Sequence, residues 1–174
     1  MFSLLNTKEE KILETLCIFP SREFTVSGLA RETDLSKSFV STKITELAER
    51  GLINVDSRGN QKVLSFDRGN ESALKLKQLI NLDKVYSSSI IDDLVELYSY
   101  PDAIVLFGSF STGEDTESSD IDIAVITSET HDYENRLMNR PVSVTEFKNE
   151  IPENMLESLA NGITVYGHLE VSSS

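Results

Sequence analysis

Gly108 to Thr127 reads GSFSTGEDTESSDIDIAVIT, directly after the apolar run Ala103-Ile104-Val105-Leu106-Phe107. That run has the length and composition of a buried strand, and Asp120 to Thr127 reads as a second. Side chains alternate across a strand, so Asp120 and Asp122 point to one face while Ile121 and Ile123 enter the core. Two hard carboxylates on one face suit Mg²⁺, which keeps some waters and takes its other ligands from phosphates. A lone D-x-D says little; here Gly108-Ser109, ten intervening residues, and then Asp120-Ile121-Asp122 stand together in a strand-loop-strand context.

That arrangement resembles the G-S-x10-D-x-D signature of polymerase β-like nucleotidyltransferases. The chain after it keeps the likeness. Met155, Leu156, Leu159 and Ala160 form a short helix, Asn161-Gly162 ends it, and Ile163-Thr164-Val165-Tyr166-Gly167 resembles the family's closing strand. The resemblance covers 83–168 and implies a small mixed sheet with helices, the nucleotidyltransferase fold. It implies transfer of a nucleotidyl group from a nucleoside triphosphate to a hydroxyl, which needs phosphate charge neutralised and the attacking oxygen in line. Asp120 and Asp122 would then be the metal-binding and catalytic acids. Gly108 would let the backbone approach a phosphate, and Ser109 would offer a hydroxyl and an amide. Small relatives serve as antitoxins that modify a HEPN-type ribonuclease toxin, so the resemblance implies such a toxin as one acceptor, beside a nucleic-acid end or a small molecule.

Two positions depart from the family's pattern. Active members carry a third carboxylate on a later strand, and the matching strand here is Pro141-Val142-Ser143-Val144-Thr145. With Val142 and Val144 inward, Ser143 falls where the aspartate is expected, and serine is a poor metal ligand and no general base at neutral pH. Glu146 is out of phase with Ser143 and could replace it only through a bulge. Thr112 stands where relatives commonly have Arg or Lys, and Glu114, Asp115 and Glu117 make the loop more acidic still.

Residues 1–66 have another character: nine Lys or Arg against nine Asp or Glu, so the whole charge of −13 lies beyond them. An acidic domain repels phosphate unless cations intervene, so the asymmetry points both to two modules and to a divalent metal. Thr7-Lys8-Glu9-Glu10 is a capping box, and Ile12, Leu13, Leu16 and Phe19 follow at helical spacing up to Pro20. Phe24-Thr25 reads as a brief strand. Leu29 and Ala30 lie on a second helix ending near Asp34-Leu35. Ser36 caps a third, with Val40, Ile44 and Leu47 inward, and Gly51 ends it. Leu52 to Val55, a turn at Gly59-Asn60, and Val63 to Phe66 form a hairpin.

Three helices and a hairpin make a winged helix-turn-helix. The stretch FTVSGLARETDLSKSFVSTKITELAERGLI, from Phe24 to Ile53, resembles the middle of many winged-helix regulators. On the third helix Lys37, Ser38, Ser41, Thr42 and Thr45 share the face opposite the core and suit the major groove, while Arg58 and Lys62 on the wing suit phosphates. The partner expected is double-stranded DNA; a solvated face or a protein partner is the alternative, favoured by the zero net charge.

Between the modules, residues 67–82 read as a helical connector, with a second helix from about Asp83 packing on the C-terminal sheet. Its apolar stripe, from Leu74 to Tyr98, is wide enough to support a homodimer as well. No apolar run approaches the roughly 20 residues that cross a bilayer. MFSLLNTKEE lacks a basic n-region and an apolar h-region, so no signal peptide is expected. Cys17 reads as a small buried hydrophobe, and His131 and His168 as surface residues. Residues 169–174 read as a frayed tail.

The expectation is an α+β chain: a winged helix-turn-helix over 1–66, connecting helices, and a nucleotidyltransferase-like domain over 83–168. It is a cytoplasmic DNA-binding protein, with no membrane partner, whose second domain binds Mg²⁺ and a nucleoside triphosphate. Transfer to a hydroxyl acceptor is the activity implied. The alternative is a transcriptional regulator whose second domain is inactive and serves as nucleotide sensor or dimeriser.

Overall fold

The computed structural model describes residues 7–148 and 151–168. Residues 1–6 of the stretch read for a signal peptide, and the tail over 169–174, lie outside them. The described residues divide into two compact units, one up to Ile80 and one from Asn81.

The first unit is a winged helix-turn-helix. Helix α1 (Lys8–Ile18) starts at the expected capping box: Thr7 Oγ1 accepts from the Glu10 amide at 3.2 Å, and the Glu10 carboxylate accepts from the Thr7 amide. Strand β1 (Phe24–Thr25) leads into α2 (Val26–Glu32), which Thr25 caps through the Gly28 amide at 3.0 Å. Ser36 caps α3 (Lys37–Glu49) through the Phe39 amide. Each such cap contributes about 0.5–2 kcal/mol by satisfying an amide that the helix leaves unpaired. Val40, Ile44 and Leu47 line the inner face of α3 and pack with Ile12, Leu16, Leu29 and Leu64 in one apolar core. The wing is β2 (Ile53–Arg58) and β3 (Gln61–Phe66), antiparallel with Arg58 opposite Gln61, and β1 pairs with β3 on its other edge.

Helix α4 (Glu71–Ser87) contains the boundary between the units, and α5 (Ile90–Leu97) follows. The second helix therefore begins seven residues later than the Asp83 expected from sequence. Asp83 is buried within α4, where Ile80 and Val85 carry the apolar period past it. The break falls in Ser87-Ser88-Ser89. There the Ser88 hydroxyl donates to the Val85 carbonyl at 2.7 Å and accepts from the Ile90 amide, offering the backbone an alternative to helical bonds.

The second unit is a five-stranded mixed sheet in the order β6-β7-β5-β4-β8. Its elements are β4 (Ala103–Phe107), the short helix α6 (Gly108–Thr112), β5 (Ile121–Ile126), β6 (Arg136–Leu137), β7 (Arg140–Phe147), α7 (Glu153–Ala160) and β8 (Ile163–Gly167). Only β5 and β7 run parallel; every other pairing is antiparallel. One face of the sheet, with Ile104, Leu106, Ile121, Ile123 and Val142, packs against Val85, Ile90, Leu94, Tyr98 and Phe110. The other, with Val105, Phe107, Ala124 and Phe147, packs against Leu159 and Met155 of α7. Among the described residues no helix is long and apolar enough to cross a membrane.

Candidate functional site

The two aspartates meet at the head of β5. Asp122 is its second residue, paired with Phe107 on β4 and with Ser143 on β7; Asp120 lies just before the strand. Within β5, alternation leaves Ile121 and Ile123 fully buried on one face and puts Asp122 on the other, and Asp120, just outside the strand, is close enough for its charge to act on Asp122. Asp120 is exposed and Asp122 half-buried. Burial, and then the negative charge of Asp120, push the Asp122 carboxyl above its ordinary value, with Arg140 opposing them. No hydrogen bond reaches either carboxylate from the described residues.

Gly108 explains how close the turn after β4 comes to this pair. Its φ is +69°, a conformation costly for any residue with a side chain, and a Cβ built there would stand 2.5 Å from Asp122 Oδ2. The chain can therefore turn into α6 directly over the carboxylate only with glycine at this position. Ser109 follows, half-buried, and its carbonyl accepts the Glu114 and Asp115 amides at 3.0 and 3.2 Å, which folds the next loop back onto α6.

Register decides the third position. Pairing of β5 with β7 is continuous from Ile121 opposite Val142 to Ile126 opposite Phe147, with no bulge. Ser143 thus stands beside Asp122 on the same face. Glu146 stands opposite Val125 and faces the other way, where its carboxylate accepts the Tyr98 hydroxyl and the His131 amide, both at 2.7 Å. Burial raises the Glu146 carboxyl, but the bonds from His131, Tyr98 and Thr130 outweigh it and the net shift is downward. Glu146 is a structural anion rather than a substitute for the missing acid. His131, read from sequence as an ordinary surface residue, also lies edge-on to the Tyr98 ring at 5.1 Å and pairs with Glu129.

Among the described residues no group of three or more His, Cys, Asp or Glu converges as a metal cage. Two carboxylates, one held above its ordinary pKa by burial and like charge, fit a hard divalent cation that draws its remaining ligands from water and phosphate. They do not fit an all-protein site.

Residues 90–168 match the family Polymerase beta, Nucleotidyltransferase. The nucleotidyltransferase match lies wholly within the second unit and spans the Gly-Ser turn, both aspartates and the closing strand. Among solved structures, the chain is similar to NolR from Sinorhizobium fredii, at 23% identity over 55% of this chain and 77% of that one, with a TM-score of 0.34. It is likewise similar to reduced HlyU from Vibrio cholerae, at 22% identity over 55% and 81%, with a TM-score of 0.35. No curated protein matches the chain.

The second unit also holds a cluster that the sequence reading missed. Arg140, buried at the start of β7, donates from Nη1 to Asp115 Oδ2 at 2.6 Å and from Nε to the Ser119 carbonyl at 2.7 Å. Its guanidinium lies 4.8 Å from the Phe110 ring centroid. Asn81 donates to both Asp115 Oδ1 and the Phe110 carbonyl. Asp115, read as one more acid of an acidic loop, is almost fully buried. The pair is 25 residues apart, so no local spacing announces it. The one sequence signal was an arginine beside Pro141 at the entry of a strand otherwise read as core.

In the N-terminal unit, Lys37, Ser38, Ser41, Thr42 and Thr45 are all exposed on α3, as read from the sequence. The wing is less simple. Arg58 is clamped by Glu23, Nη1 and Nη2 each bonding one carboxylate oxygen at 2.7 and 2.6 Å. Lys62 is exposed and, like Lys37, has no ionic partner among the described residues. Lys43 is tied to Glu9 and Glu46, Arg50 to Glu9, and Arg22 to Glu32.

Proposed function

We propose that this protein is a DNA-binding regulator whose nucleotidyltransferase domain binds a nucleoside triphosphate through a divalent cation held by Asp120 and Asp122. The observation that carries the reading is the carboxylate pair itself. Asp122 is half-buried beside Asp120 and under Gly108, without a hydrogen bond from the described residues, at a cost that a bound cation would relieve. When bound, Mg²⁺ would neutralise the phosphates and hold them for displacement. Gly108 would bring the backbone close to them, and the half-buried Ser109 hydroxyl would face the same turn.

Transfer is the weaker half of the family's implied activity. A hydroxyl acceptor needs a base, and the position beside Asp122 is Ser143 while Glu146 faces the other side of the sheet. That favours nucleotide binding with slow transfer at most, and hence a sensor coupled to the winged helix-turn-helix. For DNA, the support is the exposed Lys37-to-Thr45 face of α3 and Lys62 on the wing.

Each nucleoside triphosphate is titrated calorimetrically with and without Mg²⁺ into the wild type and Asp120→Ala/Asp122→Ala, and labelled nucleotide is then incubated with the protein. Metal-dependent binding absent from the double variant is expected, with little label transferred. Binding that ignores metal, or survives in the variant, would overturn the site. Rapid transfer would replace the sensor by an enzyme.

A further inference from the structure

We propose that Arg140 is the positioning residue of the carboxylate pair: its guanidinium ties the loop from Gly113 to Ser119 to the start of β7, and so sets where Asp120 stands relative to Asp122. The inference rests on the reading of that pair as a cation and nucleotide site.

Asp120 cannot place itself. It lies outside β5, is exposed, and its carboxylate accepts no hydrogen bond from the described residues, so its position is inherited from the backbone before it. The peptide group immediately before it is the one that Arg140 holds, through Nε and the Ser119 carbonyl at 2.7 Å. A second anchor lies earlier in the loop, where Nη1 bonds Asp115 Oδ2 at 2.6 Å and Asn81 braces the other carboxylate oxygen at 2.7 Å. Between the anchors the chain is closed on itself: the Thr116 amide donates to Ser119 Oγ at 2.9 Å and the Ser119 amide to the Thr116 carbonyl at 3.1 Å. Fixing Asp115 and Ser119 therefore fixes everything between them.

Stability alone does not account for the arrangement. A buried ion pair adds little over apolar side chains of the same volume. Here, moreover, Nη2 is buried without a partner among the described residues. What the guanidinium supplies is geometry: two donors on different edges reach two points of one loop while its flat face rests on Phe110. Lysine, a single point charge on a flexible stem, can reach one of these points but not both.

The test uses the full chain as Arg140→Lys and Asp115→Asn, with two readouts. The first is amide hydrogen exchange without ligand. Arg140→Lys is expected to lower protection over residues 114–121 about tenfold while the amides of β4 and β8 keep theirs. The second is Mn²⁺·ATP binding followed by electron paramagnetic resonance. Affinity is expected to fall about tenfold or more in Arg140→Lys, and by less in Asp115→Asn, which keeps the Ser119 anchor. Unchanged loop exchange in folded Arg140→Lys overturns the proposal, as does unchanged affinity beside a loosened loop. Should Arg140→Lys not fold, Asp115→Asn decides by the same two measurements. Wild type that binds no Mn²⁺·ATP sinks the reading of the site instead, and the exchange measurement, which needs no ligand, still decides whether Arg140 orders the loop.

Discussion

Ser143 lies directly beside Asp122 on the neighbouring parallel strand, on the same face of the sheet, in a register that runs unbroken for six residue pairs. A carboxylate placed there would converge with Asp120 and Asp122 without any change of backbone. Ser143→Asp is therefore expected to tighten Mg²⁺-dependent nucleotide binding, and to raise transfer to an added hydroxyl acceptor by about 10²-fold or more if that position serves as base. The same substitution lowers the melting temperature without metal, because a third like charge joins the pair. Calorimetry and label transfer check both. Unchanged metal affinity in a folded Ser143→Asp protein would show that the three positions do not converge.

Two glycines with nearly the same backbone separate local strain from crowding. Gly108 and Gly59 have φ of +69° and +61°, but a Cβ at Gly59 meets nothing within 4 Å. Gly59→Ala is expected to cost only the left-handed penalty, about 1–2 kcal/mol. Gly108→Ala adds displacement of Asp122 and is expected to cost about 3 kcal/mol or more, with loss of metal-dependent nucleotide binding. Urea unfolding of both variants measures the difference. Equal losses would mean that Asp122 moves aside freely.

Local periodicity carried much of this structure into view. Thr7 with Glu10, Ser36 before Val40, and the alternation of Ile121 to Ile123 each express a rule that acts over a few residues, and each holds. The relation of Ser143 to Asp122 was legible too, since Val142 and Val144 declare which way their strand faces. What escaped depends on contacts that spacing does not encode. Arg140 and Asp115 look like ordinary charges until the fold buries them together. Arg58 looks like a free cation until Glu23, 35 residues earlier, closes on it. The helix break escaped for a different reason: three consecutive serines are neutral to propensity, and their effect lies in the bonds that Ser88 makes.

Asp122 also predicts a pH dependence of stability. Its folded pKa is raised above the ordinary 3.8, chiefly by burial and next by Asp120. Its contribution to stability is therefore fully present below the unfolded value and is lost as pH rises through the folded one. Asp122→Asn is expected to melt higher than wild type at pH 7 without metal, and to show no advantage at pH values below 3.8, where wild type is protonated in both states. Saturating Mg²⁺ with nucleotide should raise the melting temperature of wild type and leave that of Asp122→Asn unchanged. A variant less stable than wild type at pH 7 would show that the ionised carboxylate is compensated in the fold.

Glu23 is expected to act as a brake on the wing. Counterions released by phosphate contacts set the salt dependence of DNA binding, and a guanidinium already held by a carboxylate releases fewer. The pair is exposed on both sides, so breaking it changes stability little. Glu23→Gln should therefore raise affinity for duplex DNA at low salt and steepen the plot of log affinity against log salt by about 0.9. Lys62→Ala should make that plot shallower by about the same amount, while Lys37→Ala, on the face read for the major groove, should weaken binding with a smaller change of slope. Fluorescence anisotropy over a salt series measures all four proteins. If Glu23→Gln leaves the slope of a DNA-binding wild type unchanged, Arg58 does not face phosphate. If wild type shows no salt-dependent binding to duplex DNA at all, the reading of the α3 face as a DNA contact is overturned, which leaves a solvated face or a protein partner.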